Sequence, residues 1–168
     1  MRKIVSDTGP ILHLRETGSL DLLRKAGRIF IPPMVDLELL SHISSWKKLK
    51  YSWLTIERLR PDEYSNTSSL IGLGILDAAE AEAIILAQRL KADWLLTDDT
   101  AARIMATRMG LEVHGSLGVI LWAATDGFLD YNEAKKTLEK LSRSSLWLSP
   151  KILDQSFKAL AQIFPSKS

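Results

Sequence analysis

The chain has 168 residues, 46% hydrophobic and 25% charged, with a net charge of +2 and no cysteine. Those numbers fit one globular domain with a sizeable core, and they exclude disulfides and thiolate zinc sites. The charge is too small to argue for nucleic acid by itself. Asp7 comes too early for a signal peptide, and no apolar run nears the roughly 20 residues that cross a bilayer, so the expectation is a cytoplasmic protein without a membrane partner.

Taken in chain order, Lys3 to Ser6 is short, apolar and β-branched, as in a buried strand. Leu20 to Lys25 has helical spacing between Ser19, a candidate cap, and Gly27, a stop. Arg28 to Ile31 predicts a second strand, and Pro33 opens a helix to about Ser45. Trp53 to Ile56 predicts a third strand. The stretch from Pro61 to Gly74, rich in Asn, Ser, Thr and Gly, predicts a long mobile loop. Asp77 and Glu80 fit a capping box ahead of an Ala- and Leu-rich helix to about Lys91. A fourth strand at 94–97, a helix at 99–109 and a short strand at 112–114 follow. Three helices, at 116–125, 131–143 and 150–163, complete the chain. Strands alternating with helices imply parallel βαβ units, so ligands are expected beyond the carboxyl ends of the strands.

Acidic residues mark the ends of apolar runs at four places: Asp7, Asp36 with Glu38, Asp77 with Glu80 and Glu82, and Asp98 with Asp99. Each has an ordinary alternative. Asp7 suits a turn at Thr8-Gly9-Pro10, Asp77 and one of Asp98 and Asp99 suit helix caps, and Glu38 suits an exposed helix face. Jointly, two strand-end acids on one rim and two helical acids are what a divalent-cation site requires, because Mg²⁺ takes oxygen ligands from a few carboxylates. Glu80 and Glu82 stand about 200° apart around a helix, so only one faces the site. Glu80 borders the Ala83, Ala87 and Leu90 stripe and is preferred; Glu82 shares a face with Arg89 and, with Asp36, is read as a surface residue.

The stretches Ser6-Asp7-Thr8-Gly9-Pro10, Ile31-Pro32-Pro33-Met34-Val35 running to Glu38, Leu76-Asp77-Ala78-Ala79-Glu80-Ala81-Glu82-Ala83-Ile84, Leu95-Leu96-Thr97-Asp98-Asp99 and Gly115-Ser116-Leu117-Gly118-Val119 resemble, in order, the PIN domain nucleases, and specifically the branch related to VapC-type toxins. The resemblance covers residues 3 to 125 and departs at Ala79, where that branch usually has Gly. It implies a three-layer αβα sandwich around a parallel sheet, a single domain over residues 1–168 with a helical tail from about 128, and Mg²⁺- or Mn²⁺-dependent cleavage of RNA. By position it assigns Asp7, Glu38, Glu80 and Asp99 as metal-binding and catalytic acids, with Asp98 and Asp77 as alternates and Thr8 and Thr97 in support. RNA, an antitoxin protein and a second copy of the chain are the implied partners; a non-catalytic nucleic-acid-binding module and a stand-alone RNA-processing nuclease are the competing readings. Arg2, Lys47, Lys48, Lys50 and Arg103 are candidate RNA contacts, with Trp46 and Tyr51 placed for stacking beside the lysines, although Lys47, Lys48 and Lys50 read first as a solvated helix end favoured by the helix dipole. Lys135, Lys136, Lys140 and Arg143 read as a solvated helix face, Trp94, Trp122 and Trp147 as core or interface, and His13, His42 and His114 as structural or surface residues.

Overall fold

The computed structural model describes residues 1–49 and 51–165. Its strands β1 (Lys3–Ser6), β2 (Arg28–Ile31), β3 (Leu54–Ile56), β4 (Trp94–Leu96) and β5 (Val113–His114) form one sheet in the order β3-β2-β1-β4-β5, with every neighbouring pair parallel. Side-chain alternation feeds two cores. Ile4, Trp94 and Leu96 project to one face of the sheet, Val5 and Leu95 to the other. The first face packs against α1 (Thr8–Glu16), α2 (Asp21–Ala26), α3 (Pro33–His42), α7 (Ser116–Thr125), α8 (Tyr131–Ser142) and α9 (Pro150–Ile163). The second lies under α5 (Ala78–Leu90) and α6 (Thr100–Arg108). This is the expected three-layer α/β sandwich. Among the described residues, no helix is long and apolar enough to cross a membrane.

The helix α1 follows the first strand immediately, where a turn was the local reading of Thr8-Gly9-Pro10. Pro10 falls in the first turn, where a missing N–H costs nothing. The expected loop between Pro61 and Gly74 is instead a helix, α4 (Pro61–Gly72). Proline starts it, the Arg60 N–H donates to Glu63 Oε2 at 2.7 Å, and Arg89 of α5 reaches Glu63 at 2.9 Å and Glu57 at 3.3 Å. These contacts outweigh the poor helix propensity of its Asn, Ser and Thr residues. The helix α3 ends at His42, and Trp46–Lys48 form a separate 3-10 turn.

The order of the strands positions the site. From β1 the chain steps outward to β2 and β3, then returns to place β4 on the other side of β1. Connections therefore leave the carboxyl ends of β1 and β4 in opposite directions and open a crevice between them, the usual ligand place in such sheets.

Candidate active site

Asp7 lies directly beyond β1, with its N–H donating to the Leu96 carbonyl of β4 at 2.8 Å. That bond ties it to the strand that delivers Thr97, Asp98 and Asp99. Glu38 comes from the middle of α3, and Asp77 and Glu80 from the start of α5. All six of these acids, with Thr8, Gly9, His13 and Leu146, line one cavity of about 270 Å³. The structure thus gathers acids from four separated stretches at the β1–β4 crevice.

Their hydrogen bonds divide them by role. The Thr97 hydroxyl donates to Asp7 Oδ2 at 3.1 Å, and the Thr8 hydroxyl donates to Glu38 Oε2. Asp77 caps α5 by accepting the Glu80 N–H at 2.8 Å, while Glu80 Oε2 accepts the Asp77 N–H at 2.9 Å. Asp99 caps α6 through the Ala102 N–H at 2.8 Å. Glu38, Glu80 and Asp99 each keep one oxygen outside these bonds. Asp98 is more heavily engaged: Oδ1 accepts the Ser116 N–H at 2.6 Å, and Oδ2 accepts the Ser116 hydroxyl at 2.6 Å and faces His13 Nδ1 at 2.7 Å. It acts as a strut between α1, β4 and α7. Gly115 makes room for this strut, since a Cβ there would stand 2.7 Å from Asp98 Oδ1.

No Lys or Arg among the described residues forms an ion pair with Asp7, Glu38, Glu80 or Asp99. The electrostatic consequence is a raised affinity for protons. Burial pushes the Asp7 carboxyl up to about 7 against the hydrogen bonds from Thr8 and Thr97, with Glu80 and Asp77 adding repulsion. Burial also lifts Glu80 to about 7, reinforced by Asp77, Asp99 and Glu38. A divalent cation would relieve both, and the donor set, carboxylates and hydroxyls without sulfur, suits Mg²⁺ or Mn²⁺. The acids do not close into a finished cage: among the described residues, no three His, Cys, Asp or Glu form a group that could hold an ion by themselves. Mg²⁺ does not need one, because it commonly takes one or two carboxylates and completes its shell with water and substrate phosphate.

The family model described as a PIN domain matches residues 3–162. The chain belongs to the PIN domain family. Its fold is thus a nuclease-type fold, and PIN domains are generally hydrolases acting on phosphodiesters. No curated protein matches the chain.

Several residues of this PIN domain stand differently from their sequence expectation. His13, read as structural or surface, is structural: it lies in the cavity wall on Asp98, and its helical spacing from Gly9 is the local signal. Glu82, read as exposed, is 6% exposed and accepts the Met34 N–H at 3.0 Å, capping α3 from α5. Asp36 accepts the Trp46 indole N–H at 2.7 Å. Trp46 is consequently buried and offers no stacking face beside Lys47 and Lys48, which are exposed on the 3-10 turn. Lys47 lines a different, largely apolar groove with Leu40, Leu49 and Leu54 rather than the acidic cavity. Lys50 lies outside the described residues. Arg2 lies over the Trp94 ring at 4.5 Å and donates to the Ala26 carbonyl, so it is committed to the fold. Arg103 is exposed, and its guanidinium lies close to Gly115. Trp94 is buried, but Trp147 is 80% exposed.

Proposed function

We propose that this PIN domain is a divalent-metal-dependent endoribonuclease. The observation that carries the reading is the gathering of Asp7, Glu38, Glu80 and Asp99 around one cavity with no ion-paired Lys or Arg among the described residues. Mg²⁺ or Mn²⁺ held by these acids would supply positive charge and Lewis-acid polarisation at a phosphodiester. The protein's own contribution is preorganisation. Thr97 fixes the Asp7 carboxylate, Thr8 fixes Glu38, and the capping bonds of Asp77 and Asp99 fix the two helix starts that frame the cavity. The Asp98 strut holds α1 and α7 at constant distance from β4. Carboxylates clustered this way would repel an RNA phosphate when bare, so substrate and cation enter as a linked pair.

Purified protein incubated with single-stranded and structured RNA, with and without Mg²⁺ or Mn²⁺, tests this directly. Cleavage should require the metal and should fall at least about a hundredfold in Asp7→Asn, the scale on which losing one electrostatic group at a reacting centre is felt. Equal rates in the two proteins would assign any cleavage to a contaminant.

The toxin reading deepens the first. It assigns as partners an antitoxin that covers the cavity with an Arg or Lys among the carboxylates, and a second copy of the chain. Supporting surface exists in Ile71, Leu73 and Ile75, exposed where α4 runs into α5. Expression in a host should arrest growth, Asp7→Asn should not, and co-expression of the neighbouring gene should restore growth. Growth unaffected by the active protein would leave a stand-alone RNA-processing nuclease.

A further inference from the structure

The acidic cavity has a basic neighbour. Its wall includes Leu146, from the connection between α8 and α9. Three residues earlier that connection carries Arg143, which with Arg15 and Lys140 lines a second, open groove of about 540 Å³. The helix α1 joins the two places: its first residues, Thr8 and Gly9, lie in the acidic cavity, and Arg15 and Glu16 at its end lie in the basic groove. Nine residues of helix make that span about 13 Å.

The three cations are exposed, and none forms an ion pair among the described residues. The acid in the same groove, Glu16, pairs with none of them: it accepts the Ser145 N–H at 2.7 Å and the Ser145 hydroxyl at 2.5 Å. The same pair of bonds pins the α8–α9 connection to α1. Two residues beyond Ser145, between the groove and the half-buried Leu148, that pinned segment presents Trp147 with 80% of its surface open. Trp147 is next in the chain to Leu146 of the cavity wall, on a segment tied to α1 at Ser145.

We propose that Arg15, Lys140, Arg143 and Trp147 form the path by which single-stranded RNA enters the acidic cavity, the cations following its phosphates and Trp147 stacking a base beside the cut. The combination of an unpaired basic groove with an open aromatic ring is the arrangement that binds single strands with little sequence preference. It supplies the attraction that a carboxylate-lined cavity lacks, and it explains why charges on α8 and the α8–α9 connection are left unpaired. This assignment rests on the nuclease reading, and binding can be measured apart from cleavage.

Full-length protein in EDTA is titrated with an unstructured RNA oligonucleotide and with the matching duplex, over a range of salt. The single strand should bind more tightly and should quench tryptophan fluorescence, and the quenching should be lost in Trp147→Phe. Trp147→Ala should weaken binding about tenfold or more, with Trp147→Phe retaining much of the affinity. Replacing Arg15, Lys140 and Arg143 together by Gln should reduce the slope of log affinity against log salt by about 2, at about 0.7 per phosphate contact on a single strand. All four positions are exposed, so folding is checked by an unchanged melting temperature. Affinity and salt slope equal to wild type in both the triple variant and Trp147→Ala would overturn the path, even with cleavage intact. Equal binding of polyglutamate and RNA, indifferent to Trp147, would also overturn it and would point to an acidic protein partner. RNA bound through these residues yet never cut in Mg²⁺ or Mn²⁺ would support the path and remove the nuclease reading.

Discussion

Asp7 shows how one side chain is set against its surroundings. It is 7% exposed, its carboxyl is raised to about 7, and no Lys or Arg among the described residues forms an ion pair with it. A carboxylate raised in the folded state makes that state bind protons more tightly than the unfolded chain. Stability of the metal-free protein should therefore fall as pH rises from about 4 to about 7, then level off. The ceiling on the Asp7 contribution is about 4 kcal/mol, at 1.36 kcal/mol per pH unit. Asp7→Asn should remove this burden, raising the metal-free melting temperature at pH 8 while abolishing cleavage; a lower melting temperature at pH 8 would contradict the electrostatic account. Gly115 makes a steric prediction of the opposite sign. A Cβ there would meet Asp98 Oδ1 and Arg103 Nη1, each at 2.7 Å. Arg103 is exposed and can swing aside, but Asp98 is held by Ser116 and His13. Gly115→Ala should cost about 1–3 kcal/mol in denaturant unfolding.

Among the elements, α3 depends on a residue from another helix. Its first turn holds an N–H at Met34 that no cap of its own satisfies, and Glu82 from α5 supplies the acceptor. Burial raises the Glu82 carboxyl, and the Met34 hydrogen bond opposes that rise. Glu82→Ala should destabilise the protein by about 1–2 kcal/mol. Because α3 carries Glu38, the same change should also reduce cleavage more than an equally destabilising core mutation. Glu82→Gln, which keeps an acceptor, should restore most of both. The helix α4 illustrates the same dependence. The whole stretch from Pro61 to Gly74 reads as a loop, with Asn66, Thr67, Ser68 and Ser69 at its centre. What stabilises it is the Arg89 bridge to Glu63 and Glu57 from a neighbouring helix and loop, which no local window contains.

For the molecule as a whole, sheet order decides where chemistry happens. The reversal between the β2 and β4 sides of β1 opens the crevice, and helices from both layers lend it acids. Such a site should bind ions in the folded state only, so Mg²⁺ or Mn²⁺ should raise the melting temperature, by RT ln(1 + [L]/Kd) in free energy. The rise should be greater above pH 7, where Asp7 and Glu80 are ionised and need no proton displaced. No rise at millimolar metal would count against a competent site. The charge layout extends the same logic outward: the cavity repels a polyanion, and the groove beside it attracts one.

Local pattern carried a good part of this. The short β-branched runs at Lys3–Ser6 and Arg28–Ile31, the capping box of Asp77 and Glu80, and the strand-end positions of Asp7, Asp98 and Asp99 all follow from neighbours within a few residues. Those are interactions a sequence window contains, so the parallel sheet and its acidic rim were legible. Which acid does what was not. Asp98 as strut and Asp99 as cap differ only in whether Ser116, 18 residues away, or Ala102 completes their bonds. The burial of Glu82, the place of His13 and the exposure of Trp147 likewise depend on partners far along the chain. The sequence by itself determined the strands, most of the helices and the presence of the acids, but not α1 or α4. Only the tertiary structure decided their partners, because burial and charge compensation are set by whatever the fold brings within a few ångströms.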